Sequence, residues 1–238
     1  MVNNNIRARV SLVIKILTVT LAFCGVIWSF FNAANDGYYH WATRLLYFTA
    51  LSNLWIAFVL VAMLLQPRMK SMRDSTRVKN SLYVLRYVFV VSITLTGFIF
   101  CGLLGPSAKH DNYNAWTVAS IITHAVVPTL SITDFFIDPY RPELSKKHIS
   151  YAIIPPFLYL IFISILQFLN VDFGRGDPYP YIFFNYNSPA GFFGFSDEMP
   201  YIFGSFYWIL IMLAIVLSVG ALYLKIYLKK SGNRRKSE

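Results

Sequence analysis

Six long apolar runs take up more than half of this chain, at roughly residues 10–31, 44–65, 82–104, 115–137, 151–169 and 202–225. Each approaches the ~20 residues a helix needs to cross a hydrocarbon layer ~30 Å thick. A backbone inside hydrocarbon has to pair its own N–H and C=O groups, and a continuous apolar run of this length does so as a helix. The expected fold is therefore all-α: a polytopic membrane protein, one six-transmembrane-helix bundle over residues 1–238, with no room left for a soluble domain. Only 13% of the residues are charged, where soluble domains carry about a quarter.

The net charge of +10 first suggests a nucleic-acid partner, but its distribution suggests otherwise. Seventeen of the basic residues fall on the N-terminus (Arg7, Arg9, Lys15), the loop after the second run (Arg68, Lys70, Arg73, Arg77, Lys79), the loop after the fourth (Arg141, Lys146, Lys147) and the tail (Lys225 to Lys236). The alternate loops hold three, Arg44, Lys109 and Arg175. That asymmetry is the positive-inside pattern, so both termini are expected in the cytoplasm and the protein in the cell membrane, among anionic lipids. No basic stripe with stacking aromatics remains for nucleic acid. The first apolar run is longer than the ~7–15 residues of a signal-peptide core, so it reads as a retained span. Cys24 and Cys101 read as small apolar core residues. No Cys or His spacing suits a metal, and no cofactor is expected.

The second run is unusual in its polar content. Thr49, Ser52 and Asn53 lie within five residues and share one helical face. In hydrocarbon such a face has to meet protein or water. The fourth run offers a partner: Ser120, His124, Pro128 and Ser131 also follow helical spacing. Pro128 leaves the His124 carbonyl without its usual donor, and a kink there would open space beside the imidazole. His124 lies about 13 Å inside its boundary and Thr49 about 8 Å inside its own, so the two can meet if their spans are neighbours. Taken alone, Thr49 is expected to bond back to the Leu45 carbonyl, and His124 to be a packed core residue. Taken together they form a hydroxyl nucleophile and its base. Ser52 and Asn53 could donate to an oxyanion or orient the ring. No carboxylate lies at the depth of His124 to complete a triad. At the opposite depth Arg86 either snorkels to the surface or pairs with Asp134 as a structural ion pair.

Residues 170–201 form a long aromatic loop with repeated Pro and Gly, too apolar to stand in water and expected to fold over the outer mouth as a lid. Pro155 and Pro156 predict an irregular start to the fifth span.

Three patches carry a resemblance: Tyr47-Phe48-Thr49-Ala50-Leu51-Ser52-Asn53, then Thr123-His124-Ala125-Val126-Val127-Pro128 with Asp134, and Arg175-Gly176 with Tyr179-Pro180-Tyr181-Ile182-Phe183. They resemble the androgen-induced-gene and androgen-dependent TFPI-regulating protein family of six-span threonine hydrolases, together with its bacterial relatives. The resemblance implies an intramembrane esterase acting on lipid esters of the type formed between a fatty acid and a hydroxy fatty acid. Its catalytic threonine and histidine would fall on Thr49 and His124, with Tyr179 and Tyr181 beside the substrate.

Two other readings compete with a hydrolase. A non-catalytic binder or transporter of a small or lipidic ligand would use the same polar cavity, with Arg86 and Asp134 as a gate. A haem bundle would need paired histidines within the spans, whereas His40, His110 and His148 lie in or beside loops. Composition does not specify an oligomeric state.

Overall fold

The computed structural model describes residues 4–69, 75–107, 116–140, 142–199 and 201–235, and for 231–235 the backbone alone. Lys70, Arg73, Lys109, His110, Ala115, Arg141, Pro200 and Lys236 lie outside the described residues, as do the side chains of Arg234 and Arg235. The chain is all-helical, with six helices long and apolar enough to cross a membrane: α1 (Asn4–Phe31), α2 (Phe48–Leu65), α3 (Thr76–Leu104), α4 (Val118–Ile137), α5 (Lys147–Phe168) and α6 (Ser205–Arg235). Large apolar side chains such as Phe58, Phe98, Phe157, Leu158 and Ile165 face outward, as a bundle in lipid requires.

The start of α2 differs from the sequence expectation. Residues Trp41–Leu46 form a separate 3-10 turn, capped by the His40 side chain, and Tyr47 is extended at φ −91°, ψ 138°. Thr49 is therefore the second residue of α2 rather than one turn inside it, and Leu45 offers no helical carbonyl to its hydroxyl. The proline effect in α5 is as expected: Lys147–Tyr151 is helical, the backbone loosens at Ala152 and Ile153, and the helix resumes at Ile154–Phe168. Cys24 and Cys101 are both exposed on the bundle surface rather than in the core.

Helices α1 to α4 pack tightly around one another. The first turn of α5 meets α6, but beyond it the two helices hardly touch and lie along the flank of α3. They converge at one end of the bundle and part toward the other. We call the open end, which carries residues 32–47 and 170–204, the mouth, and the opposite end the far end.

At the far end four charged groups are buried together. Arg86, with no exposed surface, donates to Asp134 at 2.5 Å and to Asp138 at 2.6 Å. Lys15 lies 2.6 Å from Asp138 and 3.2 Å from Asp134, and the Ser11 hydroxyl donates to Asp134 at 2.6 Å. Arg86 thus pairs rather than snorkels, and the sequence expectation omitted two of its partners, Lys15 and Asp138. Two cations against two carboxylates leave no net charge, which is what burial demands. Burial would push the Asp138 carboxyl up, but Arg86 and Lys15 outweigh it and hold it below the usual carboxylate range. The cluster ties α1, α3 and α4, and rings of Tyr83 and Phe135 flank the guanidinium at 5.3 and 5.7 Å. The Tyr87 hydroxyl donates to the Gly220 carbonyl at 2.8 Å and Tyr227 to the Pro142 carbonyl at 2.6 Å, fastening α6 to the same region.

At the mouth the long loop is sewn to the first one. Arg44, paired with Asp36, and Arg175 both stack on Tyr38, their guanidinium carbons 3.9 and 4.4 Å from the ring centre. Tyr39 N–H donates to the Gly174 carbonyl at 2.9 Å and the Tyr47 hydroxyl to the Phe173 carbonyl at 3.1 Å. Gly174 has φ +104°, and a Cβ there would sit 2.6 Å from the Tyr38 ring, so this contact requires glycine.

Breaking a buried ion pair by removing one partner costs about 3–5 kcal/mol. Arg86→Met, which leaves two carboxylates against Lys15 alone, should therefore lower the midpoint of thermal unfolding in detergent sharply. Arg86→Met combined with Asp138→Asn should recover part of the loss.

Candidate active site

Two irregular helical turns build this site. In α4 the segment Ile122–Val126 is a π turn, and in α3 so is Phe100–Leu104. A π turn carries one extra residue per turn and loosens the carbonyl ladder. Pro128 has no N–H to offer the His124 carbonyl, and α3 approaches that carbonyl so closely that a Cβ on Gly97 would stand 2.8 Å from it. At Gly97, as at Gly174, a missing side chain permits the packing.

Within the π turn the His124 ring is held on three sides. Its Nδ1 lies 2.8 Å from the Ser120 carbonyl and 3.2 Å from the Thr123 hydroxyl. A carbonyl only accepts, so Nδ1 carries the proton and Nε2 is left as an acceptor. Nε2 faces the Thr49 hydroxyl at 3.1 Å. The third contact is Phe100, whose ring stacks on the imidazole with centres 3.9 Å apart and planes 19° from parallel. The juxtaposition expected from sequence is present: a threonine hydroxyl donating to the free nitrogen of a histidine whose tautomer is set from behind. The Ser120 carbonyl occupies the place a carboxylate would fill in a triad.

The other residues of the polar face have different positions. Ser52 and Asn53 have no exposed surface and do not line the space in front of Thr49. The Asn53 amide donates to the Thr49 carbonyl at 2.8 Å and to the Thr123 carbonyl at 3.1 Å. Ser52 bonds the Thr49 carbonyl at 3.1 Å and the Thr96 hydroxyl at 2.8 Å. Their donors are committed to backbone and to α3, so they hold α2 against α4 and are not oxyanion donors. Tyr179 interacts with Asp177 and Tyr201 and stays outside the cavity; burial raises its pKa.

Tyr181 does reach Thr49. Its hydroxyl interacts with the Thr49 hydroxyl and with the backbone N–H groups of Thr49 and Phe48, the uncapped first donors of α2. Burial pushes this hydroxyl up to about 12, against the lowering effect of those neighbours, so it remains a donor at neutral pH. Its ring is fixed by stacking on Phe183, 5.1 Å away and 12° from parallel, and by edge contact with Tyr47 at 5.5 Å. Tyr159 donates to the Leu46 carbonyl at 3.0 Å and accepts from the Phe48 N–H. The N-terminus of α2, which has no side-chain cap of its own, is thus closed by two tyrosines from elsewhere. Phe100, the Ser120 carbonyl and Tyr159 were not anticipated; the one sequence signal for them was Pro128, which marks where α4 departs from regular geometry.

Thr49, Thr96, His124, Tyr159 and Tyr181 are the polar groups lining a cavity of about 410 Å³ whose remaining walls are apolar. It lies between α5, α6 and the flank of α3, and the rings of Phe183 and Phe184 from the long loop close its mouth end. Thr49 and His124 are half-buried and open into it. Among the described residues no group of His, Cys, Asp and Glu is arranged to hold a metal.

A branched side chain at position 97 must displace the His124 carbonyl. Gly97→Val should cost about 1–3 kcal/mol through overpacking, read as a lowered unfolding midpoint, with Gly97→Ala between it and wild type.

When the chain is compared with known proteins, no protein family, no curated protein and no solved structure matches it.

Proposed function

We propose that this protein is an intramembrane lipid-ester hydrolase with Thr49 as nucleophile and His124 as base. The observation that carries the reading is the 3.1 Å contact between the Thr49 hydroxyl and the His124 Nε2, with Nδ1 held on the Ser120 carbonyl, at the polar end of an apolar cavity. Threonine is a weak nucleophile until an adjacent base takes its proton. A cavity with this lining suits a substrate that is mostly hydrocarbon with one polar linkage.

In the reaction, His124 Nε2 takes the Thr49 proton as Oγ1 attacks the ester carbonyl carbon. The carbonyl oxygen becomes an oxyanion, met by the Tyr181 hydroxyl, which the N–H groups at the start of α2 hold in place. The intermediate collapses, the alkoxide leaves and takes the proton from His124, and an acyl-threonine remains. Water then gives its proton to His124 and its oxygen to the acyl carbon. Thr49 departs with that proton, and a carboxylic acid and an alcohol are the products. The imidazolium formed on the way has the Ser120 carbonyl behind it rather than a carboxylate, so turnover should be slow beside a full triad.

Seventeen basic residues on one set of segments support cytoplasmic termini and a site opening toward the other face of the cell membrane. Fatty acid esters of hydroxy fatty acids, the substrates that the resemblance implies, have the required form. A transporter is less well supported, because the cavity lining includes none of Lys15, Arg86, Asp134 and Asp138, which fill the far end of the bundle.

Thr49→Ala should abolish labelling of the purified protein by a fluorophosphonate, and Thr49→Ser should retain it. His124→Ala should lower ester turnover by about 10²–10⁴-fold. Labelling that persists in Thr49→Ala would remove the nucleophile from the scheme. Tyr181→Phe keeps the ring and deletes the donor; kcat should fall about 10²–10³-fold, the usual effect of losing one oxyanion donor, with little change in KM.

A further inference from the structure

Resting on the hydrolase reading, we infer that the cleft between α5 and α6 holds the acyl chain of the substrate, not its alcohol part, and that the converging end of this cleft limits chain length. The polar groups of the cavity are gathered at one end, where α2 begins. From there the lining continues down both helices, through Phe157 and Leu160 on one side and Met212 and Leu213 on the other, to Ile153 and Val216. Ile209 to Val216 covers two turns of α6, about 10 Å at helical rise, and Ile153 to Leu160 covers the same length of α5. The space is thus elongated along the helices, polar at its head and apolar below it.

The helices themselves shape this space. α5 and α6 meet at the first turn of α5 and hardly touch beyond it, so the cleft narrows toward Ile153 and Val216. Val216 is 1% exposed and Ile153 half-buried, which makes this the closed end. Phe157 lines the cavity yet is 54% exposed on the bundle surface. One wall is therefore a single ring standing between the cavity and surrounding lipid, and a chain can enter sideways past it without crossing water.

Chemistry selects the acyl part. The carbonyl carbon must lie at Thr49, and whatever hangs from that carbon stays bound after the alcohol has left. Among the described residues, the long apolar space that opens from Thr49 is the cleft between α5 and α6. The alcohol part then lies toward the mouth, against Tyr181 and the rings of Phe183 and Phe184. The substrate class is an ester of a long unbranched fatty acid, with wide tolerance in the alcohol.

The test uses full-length protein in detergent and two series of 4-nitrophenyl and alkyl esters, one varying the acyl chain from C2 to C18 and one varying the alcohol at fixed acyl length. For wild type, kcat/KM should rise with acyl length to an optimum and depend weakly on alcohol length. Val216→Trp, and Leu213→Trp should the former not fold, should lower the C16-to-C4 ratio of kcat/KM at least tenfold. An unchanged ratio in a folded variant, or a steep dependence on the alcohol instead, overturns the assignment. A second arm does not need catalysis: a diazirine-bearing C16 fatty acid is photo-crosslinked to Thr49→Ala protein in lipid nanodiscs. Adducts on Met212 or Val216 support an acyl pocket even if wild type hydrolyses no ester, in which case only the hydrolase reading fails. Adducts confined to outward-facing residues such as Leu158, Ile165 and Leu210 overturn the pocket.

Discussion

A polar atom in the interior of an apolar bundle has to find its partner on another helix, because neither water nor lipid will supply one. The structure turns on that constraint twice. At the far end it gathers Lys15, Arg86, Asp134 and Asp138 into a neutral cluster across three helices. At the mouth it joins Thr49 of α2 to His124 of α4. The cluster at the far end ties α1, α3 and α4 together, and at the mouth Ser52 and Asn53 hold α2 against α3 and α4.

The two ends serve different purposes, and the chemistry of their partners explains why. The charges of the far cluster are all engaged with one another. The mouth pairs neutral groups: a hydroxyl, an imidazole with one nitrogen free, and a phenol that keeps its proton. A neutral acid–base set in an apolar cavity can change protonation during a reaction without starting from a buried charge. The asymmetry is also visible in the helices. Four pack tightly against one another, and the remaining two stand off and leave an apolar cavity between them.

Much of the site is made by irregular backbone. The π turns at Phe100–Leu104 and Ile122–Val126 each insert a residue, which rotates the following face by about 100°. Phe100, at the start of one of these turns, stacks over the imidazole, and the Ser120 carbonyl, one turn before His124, lies behind it. The break at Tyr47 does similar work, starting α2 at Phe48 and leaving its first N–H groups to tyrosines of α5 and the long loop. Regular 3.6-residue spacing would give Thr49 a back-bond to Leu45, and the break removes it. Ser52 and Asn53 stay on the helix after the break, but their donors go to backbone carbonyls and to Thr96.

What the amino-acid sequence determined by itself was the number and course of the helices, since each apolar run is long enough to demand a membrane crossing. It also determined that Thr49, His124, Arg86 and Asp134 need partners, because each is polar inside such a run. Which atoms would supply them was decided by tertiary packing. The sequence indicates which face of a helix a residue occupies, but not how neighbouring helices are rotated. Nor does it mark where one turn widens, and those rotations brought Lys15 and Asp138 to the ion cluster, turned Asn53 toward backbone carbonyls, and set Tyr181 against the Thr49 hydroxyl.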